Sequence, residues 1–434
     1  MKVIGQVKIV SKFDPVFDKM PALGYEPVMQ TEDQFGILHT VDDPANLTEY
    51  HRIMDGYLAF SPDTMDQLDR LLAKEDIPQA ICFKGYLLKM AGGPRFTPAV
   101  RKCLNRLRLL KLNKRELAHM EVLRTWMEHH HVDALNRLEE IIDQYPRDLL
   151  ALRTVHYLHF YTGNSRALLD SVSQRLQFWD ECDPYYGHLL GMQSFGLEES
   201  AQYREAEIVG RRACELNPED IWAGHAMTHV FHMQGRWVDG IQWMQDMMPH
   251  WRSCNNFKFH LYWHKALMHL GKSDYEPALA VYDDYLAGAL GDDFYLDACN
   301  AASLLWRFEM AGIATGDRWQ RLYEISVDRV EDDELVFSTL HYLMAPAMLQ
   351  DKPTVDKALE HFKKWSARST TQGEVCNKVG LKLARAIVAL ARGDASGAKT
   401  LAEVRQDVRL IGGSWAQREL FKDLQAYYQE AGNS

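Results

Sequence analysis

The sequence predicts an all-α protein, an α-solenoid of antiparallel helix pairs curled around a concave groove. Three observations predict it. From Ala45 onward, apolar residues recur at helical spacing in segments of roughly 12–16 residues, with little period-two alternation. Short polar turns rich in Gly, Asn, Asp and Pro separate the segments, at 145–148, 162–164, 216–220, 234–236 and 270–274. Small residues that let paired helices cross closely, namely Ala134, Ala167, Ala206, Gly240 and Ala278, recur at intervals of 33, 39, 34 and 38 residues.

In chain order, residues 1–44 read as an N-terminal arm, mostly extended. Val3, Ile4, Val7 and Ile9 suggest a short strand there, and Pro15, Pro21, Pro27 and Pro44 interrupt any helix. Residues 45–434 read as a single helical-repeat domain. The pattern places helices at 115–128, 132–144, 149–161, 166–178, 186–199, 203–216, 221–234, 237–248, 257–270 and 275–289. Pro146 and Pro218 follow Ala134 and Ala206 by twelve residues, and a further pair turns at Gly393-Asp394 with Ala398 in its second helix. This matches a degenerate tetratricopeptide unit of about 34 residues, whose pairs cannot bury their apolar faces alone and so stack.

Composition bounds the function. With 434 residues and 47% hydrophobic content, the chain is too long for one compact core and suits an extended one. A net charge of −11 argues against a nucleic-acid partner. The basic stretch from Arg101 to Arg115 is interleaved with Leu and reads as a solvated helix face. Seven cysteines with no C-x-x-C pair point to reduced thiols and a cytoplasmic location. No signal-peptide pattern opens the chain and no apolar run approaches the ~18 residues of a membrane span, so no membrane partner is expected.

Eighteen histidines occur, and those between 225 and 269 carry the functional reading. His225 and His229 are four apart and share a helix face, which His232 extends; His260 and His264 repeat the spacing on the first helix of the next pair. With the small residue of each pair at repeat position 20, His225, His229 and His232 fall at positions 5, 9 and 12 and His260 and His264 at 2 and 6, all facing the groove. The same register brings Glu116, His119, His156, His159, His188 and Glu198 to the groove side. Trp222 and Trp263, at positions 2 and 5, read as core fillers or as walls for an apolar or cationic ligand.

Three readings stay open for the paired histidines. They hold a divalent transition metal through His225, His229, His260 and His264; they form a metal-free ligand or acid–base site; or they are structural hydrogen-bonding groups. Ala226 replaces the Glu of the H-E-x-x-H pattern, so that metalloprotease motif is absent. Trp222, His225, His229, Trp263 and His264 are the ligand-binding candidates, and Glu198 and His156 the catalytic ones. Asp297–Ser303 and His341 are weaker additions. His129-His130-His131 reads as an exposed helix end. Gly412-Gly413-Ser414 reads either as an anion site at a helix N-terminus or as a turn capped by Ser414. The expectation is a His-rich concave pocket that binds a small molecule or peptide, with a protein- or peptide-interaction scaffold as the alternative.

Several stretches together resemble the tetratricopeptide repeat protein 38 family over nearly the whole chain. They are Ser194–Glu199, Asn217-Pro218, Trp222–His229, His260–His264, Gly316–Trp319, His341–Ala345 and Gly412–Arg418. The resemblance implies an α-helical repeat fold and no particular reaction. His232 stands where family members carry a Glu.

Overall fold

A computed structural model describes residues 29–431. The strand suggested by Val3, Ile4, Val7 and Ile9 and the breaks at Pro15, Pro21 and Pro27 lie outside the described residues. Strands among the described residues are confined to a small antiparallel hairpin, β1 (Gln30–Glu32) with β2 (Leu38–Thr40), in which Thr31 faces His39. Asp33 shapes its turn by accepting from the Phe35 and Ile37 amides.

Helices follow in antiparallel pairs: α1 (Pro44–Leu58) with α2 (Thr64–Lys74), α3 (Pro78–Met90) with α4 (Thr97–Leu107), and α5 (Lys114–Met127) with α6 (His131–Gln144). Next come α7 (Leu149–Tyr161) with α8 (Ser165–Ser173), α9 (Tyr186–Glu199) with α10 (Tyr203–Leu216), and α11 (Ile221–Met233) with α12 (Trp237–Trp251). α13 (Phe257–Gly271) pairs with α14 (Tyr275–Val281), which runs through a π turn into α15 (Ala287–Ala289). The array continues with α16 (Tyr295–Met310) and α17 (Arg318–Ser326), α18 (Val336–Met348) and α19 (Lys352–Trp365), the short α20 (Thr371–Val375), α21 (Leu381–Ala391) and α22 (Ser396–Val404), and α23 (Trp415–Ala431). The protein is thus an α-solenoid of tetratricopeptide-like pairs.

Polar residues in the turns start the helices. Asp148, Asn164, Asp220 and Asp351 each cap the following helix through a side-chain oxygen, and Asn113 with Glu116 forms a reciprocal capping box. Small residues set the crossings within pairs. Ala134, Ala206, Gly240 and Ala278 are buried, while Ala167 is half-buried. A Cβ on Gly240 would lie 2.5 Å from the end of the Met268 side chain and 3.1 Å from Phe231 Cβ, so α12 packs closely here and a larger residue would displace Met268.

The two layers differ in burial. α10 buries only Ala206, Gly210 and Ala213 and presents charges outward, whereas every residue of α11 from Ile221 to His232 is buried. A helix buried on all faces has protein on its concave side too. The superhelix curls until its first pairs meet the later ones. The Asn255 amide donates to the Phe60 carbonyl (2.8 Å), Tyr185 donates to Asp55 (2.8 Å), and Tyr161 donates to the Met90 carbonyl (3.0 Å). Lys89 on α3 pairs with Glu334 just before α18 inside the ring.

Two expectations need correction. His131 is not part of an exposed helix end: it opens α6, is fully buried, and lies 3.6 Å from Glu334, while the His129 carbonyl accepts from the Thr371 amide. Curling of the array brings α18 and α20 over that turn. Most of the 101–115 basic stretch is solvated, but Arg115 is buried and pairs with Asp148 at 2.6 Å.

Candidate functional site

Asp220 caps α11 by accepting from the Trp222 and Ala223 amides, which fixes where the first turn begins and hence which face holds residues 225 and 229. Gly224 lets α12 come close enough for the Trp243 indole to donate to its carbonyl at 3.0 Å; a Cβ there would lie 2.8 Å from Met247. α13 packs beside α11 with its own i, i+4 pair facing the same space.

The two pairs converge. His229 Nε2 lies 3.0 Å from His225 Nε2, His225 Nε2 lies 3.2 Å from His264 Nε2, and His264 Nε2 lies 3.2 Å from His260 Nε2. One nitrogen from each ring lies within 4.8 Å of the other three. Four ligands at 2.0–2.1 Å around a tetrahedral ion are separated by about 3.3 Å; three of the six separations here are 3.0–3.2 Å, and the other three lie within 4.8 Å.

The outward nitrogen of His260 sets its tautomer. His260 Nδ1 lies 3.2 Å from the Asn300 Oδ1 acceptor. A proton on that Nδ1 leaves the Nε2 lone pair directed at the common centre. Nδ1 of His225, of His229 and of His264 finds no hydrogen-bond partner among the described residues, although His229 Nδ1 lies 3.4 Å from Glu198 Oε2. Burial first, and then neighbouring imidazoles, drives His225 and His264 well below the ordinary histidine pKa. Burial likewise pulls His229 and His260 down to about 3. All four rings are therefore neutral at physiological pH, which is the ligating form.

Glu198 is buried, and neither carboxylate oxygen has a hydrogen-bond partner among the described residues. Burial pushes its pKa up to about 8. A divalent ion beside it would supply the missing countercharge. The neighbouring Glu199 is satisfied instead: it accepts from the Trp415 amide (2.8 Å) and pairs with Arg418 at 3.2 Å. The N-terminus of α23 is therefore already occupied by a carboxyl group of this chain, whose pKa burial pushes up to about 7. Ser414 and Gln417 form a reciprocal cap there, in keeping with the turn reading of Gly412-Gly413-Ser414.

A cavity of about 460 Å³ opens above the histidines, within the range of small-molecule sites. His225, His229 and His260 line it, and His264 sits behind them. Its walls are aromatic, from Tyr57, Phe60, Phe160, Phe195, Trp222 and Phe257 among others; Ser61, Asn255, Asn256 and Asp292 add polar groups. Phe60 holds a left-handed conformation (φ 55°) and stacks on Phe257 at 4.6 Å, bringing the α1–α2 turn against the wall.

The other expected members are placed differently. Trp263 is fully buried and stacks flat on His260 (5.2 Å), backing the ring and absent from the residues lining the cavity. His156 packs edge-on against Trp222 at 5.7 Å, also outside the cavity lining. Two further aromatic residues near this region, Tyr262 and Trp306, lie in the core, where Tyr262 stacks on Tyr285 and Trp306 packs near Trp319. His341 is held by the Phe337 carbonyl at 2.7 Å. The shared polar interior expected from five successive pairs is divided, because curling supplies local partners. Glu116 accepts from Thr40, His119 meets Asp148, His159 meets Glu139, and His188 meets Asp220. His232 meets Glu419, a carboxylate from α23.

A third histidine group, Asp33 with His39 and His51, looks similar but is occupied. His39 Nδ1 faces the Arg115 guanidinium and so accepts, leaving Nε2–H to donate to Asp33. Sequence reasoning did not identify Phe60 and Tyr57 from the first pair, Glu199 as the partner of α23, or Glu419 of α23 as the partner of His232. No local pattern marks them; only closure of the ring brings them in.

No family model matches the sequence. Among solved structures, the crystal structure of yeast Tom70 is similar at 13% identity, covering 83% of this chain and 92% of that one, with a TM-score of 0.38. The structure of Naa15/Naa10 bound to HypK-THB is similar at 13% identity, covering 90% and 66%, with a TM-score of 0.22. Neither likeness bears on the site. No described helix is long and apolar enough to cross a membrane.

Proposed function

We propose that the chain binds a small molecule in its aromatic cavity at a transition-metal ion held by His225, His229, His260 and His264. The observation that carries the reading is the convergence of four neutral imidazoles, three of whose Nε2 separations are 3.0–3.2 Å. Imidazole sets of this kind suit zinc, copper, iron or nickel. Three of the rings face the cavity, so a cavity ligand would reach the ion as a fifth donor, where the ion could act as a Lewis acid. Glu198 and Asn300 would orient the rings from outside, and Trp263 would fix His260 from behind. In this reading Glu198 is the acid–base candidate and His156 supports the Trp222 wall from behind.

Elemental analysis of the purified, tag-free protein tests this directly. One equivalent of metal is expected. His229→Ala and His264→Ala should each keep near-native helical content and lose the metal. Wild-type protein without metal that also takes up none of zinc, copper, iron or nickel would refute the reading.

A second reading is a protein-interaction scaffold. Exposed Ile208, Val238 and Tyr275 on the successive outer helices α10, α12 and α14 favour it. We propose further that the chain belongs with the tetratricopeptide repeat protein 38 family, that residues 45–434 act as one domain behind the 1–44 arm, and that it works in the cytoplasm without nucleic-acid or membrane partners. The unpaired thiols support the reducing compartment.

A further inference from the structure

We infer that the cavity ligand is an apolar molecule carrying a carbonyl-type acceptor oxygen, neutral or as a carboxylate, which the side-chain amide of Gln417 receives. The inference rests on the reading of the cavity as the binding site; it does not require the ion.

The wall is mostly apolar, so the few polar groups in it set the ligand's orientation. Its two formally charged side chains, Arg95 and Asp292, are both exposed at the mouth, where Arg95 pairs with Asp293 and Asp292 accepts from Asn256. Several hydroxyls of the wall are spent on the protein itself: Ser61 donates to Asp63, Thr64 to the Ser61 carbonyl and Tyr161 to the Met90 carbonyl.

Two carboxamides of the wall are not spent. Gln417 lies in the first turn of α23 and is 5% exposed. Its Oε1 accepts from the Ser414 amide at 2.8 Å, which fixes the sense of the carboxamide and turns Nε2 the other way. Nε2 makes no hydrogen bond among the described residues and is not sealed in the core; since Gln417 lines the cavity, that N–H pair opens on it. A glutamate would close the same capping box, so the amide adds donors that the cap does not use. Gly413 leaves room for the arrangement. It holds φ 79°, and a Cβ there would lie 2.9 Å from the Phe337 ring and 3.2 Å from Gln417 Oε1.

Asn255, just before α13, repeats the pattern. Its Oδ1 accepts from the Phe257 amide at 3.0 Å, and its Nδ2 has no partner among the described residues. The backbone has thus taken the acceptor end of each amide and left the donor end. A donor that loses water without gaining a partner costs free energy, so the ligand group that matches is an acceptor oxygen. A carbonyl is also the group that a bound ion would polarise, and the aromatic wall suits an apolar body.

The test is equilibrium dialysis on the full-length protein, as purified and after chelation. The probes share one shape: 2-acetonaphthone, with a carbonyl oxygen; 2-isopropenylnaphthalene, with a methylene in its place; and (2-naphthylmethyl)trimethylammonium, a cation without an acceptor. The ketone should bind at least about tenfold more tightly than the olefin in both preparations, and more tightly than the cation. Gln417→Met should remove that preference by weakening the ketone about tenfold, with metal content and olefin affinity unchanged. A preference that survives in Gln417→Met, or that vanishes on chelation, overturns the inference. Equal binding of ketone and olefin, tighter binding of the cation, or binding of no probe overturns it too. Should Gln417→Met fail to fold, the ratio of ketone to olefin in chelated wild-type protein decides alone. 2-Naphthoate then separates the two supporting cases: tighter binding than the ketone assigns the carboxylate form, weaker binding the neutral carbonyl. Metal uptake without ketone preference defeats this inference and spares the metal reading. Ketone preference in protein that takes up no metal supports it and defeats the metal reading.

Discussion

Two buried polar clusters occupy the same inner layer of this solenoid, and they are built on opposite terms. In the α5–α7 cluster, Asp148 pairs with Arg115 (2.6 Å) and His119 (3.0 Å), and Tyr86 meets the other nitrogen of His119 at 3.0 Å. The imidazole has a partner on each side and the charges cancel. In the α11–α13 cluster, four imidazoles meet one another at a single point, with orphaned outer nitrogens and an unmatched carboxylate beside them. Histidines at similar repeat positions have thus become structural in one pair and ligand-like in another. The difference is whether a neighbouring element brings a countercharge. A cluster that completes itself holds the fold, whereas one left incomplete is built for something that arrives.

The largest expected effect breaks the complete cluster. Asp148→Asn keeps the shape and a cap oxygen but leaves Arg115 buried without its anion. A loss of about 3–5 kcal/mol in urea unfolding is expected. The loss should be the same with and without chelator, and metal content should not change. Wild-type protein, in contrast, should lose stability on chelation, by an amount that grows with the logarithm of free metal over its dissociation constant. If both clusters respond to chelator alike, the contrast between them fails.

Acid should separate the charge-paired parts from the rest. Burial pulls the pKa of Glu334 up, but Lys89 and then His131 outweigh it and hold the carboxyl down to about 2, against 4.5 ordinarily. Its contribution is therefore fully present above the unfolded value and fades as pH falls from about 5 toward 2. It amounts to on the order of 3 kcal/mol. Asp148 behaves likewise: burial is outweighed by His119 and Arg115, and its pKa lies below the usual carboxylate range. Glu334→Gln should flatten the acid limb of a stability-against-pH curve between pH 5 and 2. An unchanged limb would mean that ring closure draws nothing from this pair.

Local patterns in the sequence carried much of this architecture. Turn residues placed α7, α9 and α10 at their observed limits, and the register of Gly240 and Ala278 set the two histidine pairs on one side. Long-range closure was not legible. Nothing near Phe60 says that its carbonyl will cap the Asn255 amide, and nothing near His232 says that Glu419 will reach it. For the same reason His131 and Arg115 looked solvated. Side-chain register tells which face a residue takes, but its partner is decided by a residue far away in the chain, and period alone carries no such information.

The smallest expected effect concerns one amide. Asn300 on α16 presents Oδ1 to His260 Nδ1 at 3.2 Å, the only side-chain acceptor other than Glu198 among the described partners of the four rings. If the α11–α13 cluster ligates a metal, this contact fixes the His260 tautomer with Nε2 unprotonated, and its loss frees the ring to adopt the wrong one. Outer partners of metal-bound histidines typically contribute 10–100-fold in affinity, about 1.4–2.7 kcal/mol. Asn300→Ala should therefore weaken metal binding by that factor, measured by competition with a chelator of known affinity. Asn300→Asp should restore it, because a carboxylate accepts the same proton more strongly. Chelated Asn300→Ala and chelated wild-type protein should unfold at nearly the same urea concentration, since Oδ1 then supports a ring with no ion to orient. Were the histidines merely a hydrogen-bonded core, the substitution would cost the same stability with or without metal, and Asp at 300 would add a second unmatched carboxylate rather than rescue.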